Sequence, residues 1–268
     1  MNSMTGEQSI CFEKPPYLFA SASVAGKKEG EGPLGEKIDL ICEDPMLGEE
    51  NWEKAESMLQ IKAIQLALEK AGKMPQQIRY VFAGDLLGQL IATSFGVEEL
   101  EIPLFGLYGA CSTMGESLSL AAMMIDGGFA SKCAAMTSSH FCTAERQYRM
   151  PVPYGSQRPP TAQWTATASG CTILAREGEG PYITHITCGK IVDKGVTDAN
   201  NMGAAMAPAA YDSLAAFFRD TGTGPRDYDL VITGDLGELG HAIVRDFFAK
   251  DGIDMGENFQ DCGLLLYD

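Results

Sequence analysis

Paired cysteines are missing from this 268-residue chain, although single cysteines are not: eight stand at positions 11, 42, 111, 133, 142, 171, 188 and 262 with no CxxC spacing. That pattern offers neither a structural zinc knuckle nor a disulfide framework, and a reducing compartment is expected. Histidine is scarce as well. The three present, His140, His185 and His241, lie in no ligand-spaced motif, so neither a metal nor a cofactor is expected. Basic residues are outnumbered 20 to 36 by acidic ones, for a formal charge of -16. Such a field repels nucleic acid and anionic lipid, and any anionic ligand needs a local set of donors. No stretch reaches ~18 uninterrupted apolar residues, and "MNSMTGEQSICFEKPPYLFA" is broken by charges and prolines before an apolar run can form. Neither a signal peptide nor a membrane span is expected, and the chain reads as soluble or peripheral.

What is present reads as an α/β protein, since 45% hydrophobic content supports a sizeable core. Residues 51–71 place Trp52, Ala55, Leu59, Ala63, Leu66 and Leu68 near helical spacing and end in a glycine cap. "IRYVFAGDL" then predicts strand and turn, residues 86–95 a helix, "IPLFGLY" a buried strand, and residues 112–127 a helix apolar on most faces. "KCAAMTSSH" and "ATASGCTILAR" read as central strands. Between them, residues 143–164 hold four prolines and three arginines in a long irregular loop of the kind that usually carries function. Helices are expected around 206–218 and 241–250, a strand at "YDLVITGDL" and a closing strand at "CGLLLY". "YVFAGDL" at 80–86 and "LVITGDL" at 230–236 repeat a strand running into Gly-Asp-Leu, each after a helical segment, which points to two related halves.

Ten stretches in order resemble the stage V sporulation protein AD family of endospore-forming bacteria, whose fold is thiolase-like. They are "GPLG" (32–35), "AGDLL" (83–87), "YGACST" (108–113), "IDGGFA" (125–130), "TSSH" (137–140), "TAERQYR" (143–149), "TAQWT" (161–165), "MGAAMAPAA" (202–210), "YDLVITGDL" (228–236) and "DCGLLLY" (261–267). The resemblance implies a duplicated α/β/α/β/α sandwich, with a first half over 1–180 and a second over 181–268. Because family chains continue past "CGLLLY", the second half is expected to be incomplete. It also implies binding of dipicolinic acid (pyridine-2,6-dicarboxylate), with or without calcium, for loading into the developing spore. The implied partners are other proteins of the same stage V A operon, and the implied location is the membrane enclosing the forespore, reached peripherally. A homodimer paired through a central sheet edge is implied too.

Cys111 sits where thiolase-like condensing enzymes keep an acylated cysteine, at the start of a helix. Condensation needs helpers. In the ketoacyl synthase III group these are a histidine in an "HQAN"-like turn and an asparagine in a later turn. Aligning "YDLVITGDL" with the strand before that histidine puts Gly234 about where it would stand, and the asparagine turn would fall beyond residue 268. No CxG motif of the thiolase type ends the chain either. A non-catalytic binding role is therefore expected, with acyl transfer at Cys111 as the alternative. A flat dianion calls for donors and an apolar slot. The candidates are Cys111, Ser112, Ser138, Ser139, His140, Arg146 and Arg149, with Lys27 and Lys28 as further cations. Asp85 and Asp235 are expected to cap the helices that follow them rather than do chemistry.

Overall fold

The computed structural model describes residues 3–148, 163–198 and 200–267. They form two compact units, one built from residues 14–148 and 164–184, the other from residues 3–13, 163, 185–198 and 200–267.

The larger unit is organised by one six-stranded sheet. Its strands are β3 (Tyr17–Gly26), β4 (Leu40–Cys42), β5 (Tyr80–Gly84), β6 (Leu104–Gly106), β7 (Lys132–Ser139) and β8 (Ala168–Ala175), in the order β4-β3-β8-β7-β5-β6. The predicted central strands β7 and β8 do lie inside the sheet. The predicted buried strand before Cys111 does not: β6 is a three-residue edge, and Leu104, Phe105 and Gly106 are all exposed. An edge strand has neighbours on one side only, so its apolar residues are left partly in water.

Five helices belong to this unit: α1 (Lys27–Gly30), α2 (Trp52–Ala71), α3 (Ile91–Glu98), α4 (Thr113–Asp126) and α5 (Phe141–Tyr148). Asn51 caps α2 by accepting from the Lys54 N–H at 2.9 Å, and Gly72 ends it with φ 59°. Leu59, Ala63, Ile64 and Ala67 of α2 are fully buried against Val24, Val81, Ala134, Met136 and Ile173 of the sheet. Burying Leu59 or Ile64 stabilises the unit by about 2 kcal/mol each. α4 buries a single face, Thr113, Ser117, Ala121, Ala122 and Ile125, rather than its whole circumference. The opening of the expected long loop is helical, as α5, and residues 149–162 lie outside the described residues.

In the smaller unit, β1 (Ser3–Thr5), β2 (Ser9–Cys11) and β9 (His185–Thr187) form an antiparallel sheet. α6 (Met202–Thr221) and α7 (Gly237–Lys250) pack with a parallel pair, β10 (Val231–Thr233) and β11 (Phe259–Asp261), around Phe218, Val244, Phe248 and Phe259. The expected closing strand at "CGLLLY" is instead the short helix α8 (Cys262–Leu266). Asp261 causes the change, because its carboxylate accepts from the Gly263 and Leu264 N–H groups and turns the chain.

The repeat extends well beyond seven residues. Asn201 caps α6 as Asn51 caps α2, Gly222 ends it with φ 68° as Gly72 ends α2, and a 3-10 turn starting at Pro225 or Pro75 leads into the strand. The offset is constant, since 201 − 51 and 225 − 75 are both 150.

Candidate functional site

Strand direction decides which residues can meet. β3 to β7 run parallel and β8 runs against them. One end of the sheet therefore collects Lys27 and Lys28 after β3, Asp85 after β5, the turn to Cys111 after β6, Ser139 and His140 at the end of β7, and residues 165–167 ahead of β8. Helix N-termini and loops converge at such an end, which is where open α/β sheets hold ligands.

The turn to Cys111 depends on a close crossing. A Cβ on Gly84 would stand 2.0 Å from the Leu107 carbonyl oxygen and 2.9 Å from Thr113 Cγ2, so the chain passes here only over glycine. Beyond it, Ala110 adopts φ 47°, a left-handed backbone that costs a residue with a Cβ about 1–2 kcal/mol. The strained turn delivers Cys111 and Ser112, both exposed, to the start of α4. There the helix N-terminus carries partial positive charge, although the Ser112 N–H already donates to Gly109 O at 3.0 Å and the Thr113 N–H to Ala110 O. Ser112 Oγ donates to Gly109 O at 2.8 Å. Glu116, in the first turn, stands close enough that a Cβ on Gly109 would meet its Oε2 at 2.7 Å.

Alternation along β7 divides the "TSSH" group between two faces. Ala134 and Met136 point into the core beneath α2, which places Ser138 on that side and Thr137 and Ser139 on the side of α4. Thr137 Oγ1 donates to Gly84 O at 3.1 Å and Ser139 Oγ to Ala166 O at 2.6 Å. Ser139 thus shares a face with the helix that carries Cys111.

Ser138 and His140 serve the opposite side. Ser138 Oγ donates to Glu56 Oε1 at 2.9 Å and accepts from Gln60 Nε2 at 2.7 Å. His140, 1% exposed, accepts from the Cys142 N–H at Nδ1, which leaves Nε2–H to donate to Pro45 O at 2.9 Å. Burial lowers its pKa and keeps the ring neutral, 5.1 Å from the Trp52 ring. Both expected ligand residues are therefore bonded on the α2 side, apart from Ser139 and the Cys111 turn.

Around them lies a buried polar network that the sequence reading missed. Glu56 accepts from Ser138 and, at 2.8 Å, from Thr143 Oγ1; burial, reinforced by the Asp85 charge, pushes its pKa up to about 7. Gln60 Nε2 bridges Ser138 to Thr93 Oγ1 at 3.0 Å, and Thr93 Oγ1 donates to Asp85 Oδ2 at 2.5 Å. Asp85 also accepts from the Leu87 and Thr93 N–H groups, both at 2.7 Å, which is the capping role expected of it. Glu56 and Gln60 were detectable in principle, since both occupy the buried stripe with Leu59 and Ala63.

The expected cations are dispersed. Arg146 is exposed and paired with Glu53 of α2, while Arg149 lies outside the described residues. Lys27 meets Glu43 at 3.5 Å, and Lys28 Nζ stands 4.6 Å over the Trp164 ring, which stacks on Phe141. Among the described residues, no three His, Cys, Asp or Glu side chains are placed to hold a metal.

Residues 6–268 match the family described as Stage V sporulation protein AD (SpoVAD). The chain is 41% identical over 264 residues to Stage V sporulation protein AD of Bacillus subtilis (strain 168), covering 98% of this chain and 78% of that protein. This chain belongs to the SpoVAD family. Solved structures show that its fold is thiolase-like. OleA of Xanthomonas campestris bound with cerulenin aligns with TM-score 0.62 at 12% identity, over 96% of this chain and 82% of that one. The 3-oxoacyl-[acyl-carrier-protein] synthase III of Aquifex aeolicus VF5 aligns with TM-score 0.58 at 14% identity, over 94% and 85%.

In this SpoVAD chain, Gly234, the expected stand-in for the condensing histidine, borders open space: a Cβ there would meet nothing within 4 Å. Asp235 behaves as its counterpart Asp85 does, accepting from the Gly237 N–H at the start of α7, while burial raises its pKa. No helix among the described residues is long and apolar enough to cross a membrane.

Proposed function

We propose that this SpoVAD-family chain binds dipicolinic acid as its calcium chelate, for uptake into the developing spore, and performs no acyl transfer. The observation that carries this reading is the exposed start of α4, where Cys111 and Ser112 stand at the positive end of the helix close to the Glu116 carboxylate. A free dianion meets like charge there and across a chain of net charge -16. In the chelate, calcium neutralises both carboxylates and retains open positions for oxygen ligands, one of which Glu116 can fill. Ser139 lies on the same face. Arg146 is already matched by Glu53, so Arg146→Ala is expected to leave affinity unchanged.

Titration calorimetry tests the reading. Dipicolinate is expected to bind saturably and far better with calcium than without, whereas benzoate does not bind. Glu116→Gln removes most of the calcium enhancement, and Cys111→Ala changes affinity by no more than about fivefold, the worth of one ordinary hydrogen bond. A calcium-independent response unaltered in Glu116→Gln would reject this arrangement.

Acyl transfer at Cys111 is the second reading, favoured by the thiol's exposure at a helix N-terminus. Against it stand His140, turned to the α2 side with both ring nitrogens engaged, and the bare Gly234. Acetyl-CoA added in the same series is expected to leave the intact mass of the chain unchanged, and an acetyl adduct on Cys111 would reverse the order of the two readings.

The edge strand β6, with Leu104 and Phe105 exposed, supports a homodimer that continues the sheet across two chains. Sedimentation is expected to report two chains for the parent and one for Leu104→Lys. Attachment at the membrane around the forespore would then come from partners encoded in the same operon.

A further inference from the structure

α2 and α3 are joined through Ser57 and Gln60. Ser57 Oγ donates to Ala92 O at 2.9 Å, and a Cβ on Gly96 would lie 3.1 Å from Ser57 O, so α3 approaches α2 closely at Gly96. Beside this contact runs a groove of about 500 Å³, with Met58 and Ile61 of α2 half-buried at its base and Ile91 and Phe95 of α3 along its wall. Ile91 is 40% exposed and Phe95 62%. The rim carries Glu49 and Glu99, together with Glu53, whose charge Arg146 already meets, against one lysine, Lys54. That lysine is itself paired with Glu50 at 2.8 Å.

We infer that this groove docks an amphipathic helix of a partner protein, with aliphatic residues on one face and lysine or arginine flanking them. The geometry favours a helix, because the furrow between two packed helices accepts the ridge of a third and anchors spaced i, i+3/i+4 and i+7. The charge chooses the partner. A second copy of this chain would set Glu49 and Glu99 against their own counterparts, and an anionic lipid surface would be repelled by them and by the net charge of -16, whereas a basic rim complements the acidic one. Neither Cys111 nor the start of α4 lines this groove, so the inference stands apart from the ligand reading.

The probe is a fluorescent 15-residue peptide with leucine on one helical face and lysine on the other, followed by anisotropy against the full chain at physiological salt. Its controls are a leucine/glutamate version and a leucine/lysine permutation that has no apolar face. The leucine/lysine helix is expected to bind saturably one to one, and both controls are not. Phe95→Ser, at a position already exposed, weakens binding by at least about tenfold, as loss of a central aromatic anchor does. Phe129→Ser, at a residue 66% exposed elsewhere in the same unit, changes it less than about twofold. Equal binding of the permuted peptide, or equal loss in both variants, would reduce the effect to bulk charge and overturn the proposal. So would absence of binding, or a peptide-insensitive dimer that Phe95→Ser dissociates, which would make a second copy the occupant.

Discussion

Gly84→Ala is expected to destabilise the larger unit by about 3 kcal/mol and to displace the turn that presents Cys111. The added methyl would lie 2.0 Å from the Leu107 carbonyl oxygen, a backbone atom held by the Leu107 N–H bond to Ala83 O at 2.8 Å, and so unable to rotate aside. Overpacking of this kind costs about 1–3 kcal/mol when side chains absorb it, and the upper end or more when backbone must move. The internal repeat supplies a matched control. Gly234 occupies the same place in the second strand–Gly-Asp-Leu unit, but a Cβ there meets nothing within 4 Å, so Gly234→Ala is expected to fall within about 0.5 kcal/mol of the parent. Urea unfolding of the two variants, read with the rate of thiol labelling at Cys111, checks both parts. Equal costs at the two glycines would mean that the crossing of Leu107 over β5 is not what Gly84 is for.

Glu56 is expected to make stability fall as pH rises from about 4.5 toward neutrality. Its folded pKa, about 7, lies above the ordinary glutamate value of 4.5, so the folded state holds the proton more tightly than the unfolded chain. The stabilisation from that proton is complete below pH ~4.5 and is lost as pH rises to ~7, a total of roughly 3 kcal/mol for the shift. Glu56→Gln keeps the shape and cannot ionise, and its amide can donate to one of the Ser138 and Thr143 hydroxyls and accept from the other, as a protonated carboxyl would. The difference in unfolding free energy between variant and parent should open in favour of the variant by roughly 2–3 kcal/mol between pH 5 and pH 8. Other carboxylates cancel in that difference, so a gap that stays flat would show Glu56 ionised throughout. Glu56 joins α2 to the end of β7 and the start of α5, and Gln60 and Thr93 extend the network to Asp85 and α3. Its charge state is therefore felt at the loops bordering that end of the sheet.

Much of the architecture was legible as pattern. α2, β7 and β8 follow from helical spacing, an apolar run and glycine punctuation, because each buries residues at its own period. The repeat was legible from seven residues, and its extension to paired asparagine caps and left-handed glycines is local chemistry that a sequence can encode. β3, ten residues long, was missed because its register is set by β8 and β4, which are distant in sequence. "CGLLLY" was misread because apolar content alone cannot separate a strand from a turn of helix when the deciding group is the preceding Asp261 carboxylate.

By itself, then, the sequence determined the α/β class, the family, the duplicated unit and the placing of Cys111 at the head of a helix, all of which depend on short-range spacing and residue type. Only the tertiary structure decided which polar residues share a face. Ser138 and Ser139 are neighbours in the chain, yet strand alternation sends one into the Glu56 network and the other to the side of α4, and packing against α2 selects which. Likewise Glu116 meets the Cys111 turn, and Arg146 meets Glu53 instead, because helix direction and sheet order set distances that no spacing along the chain contains.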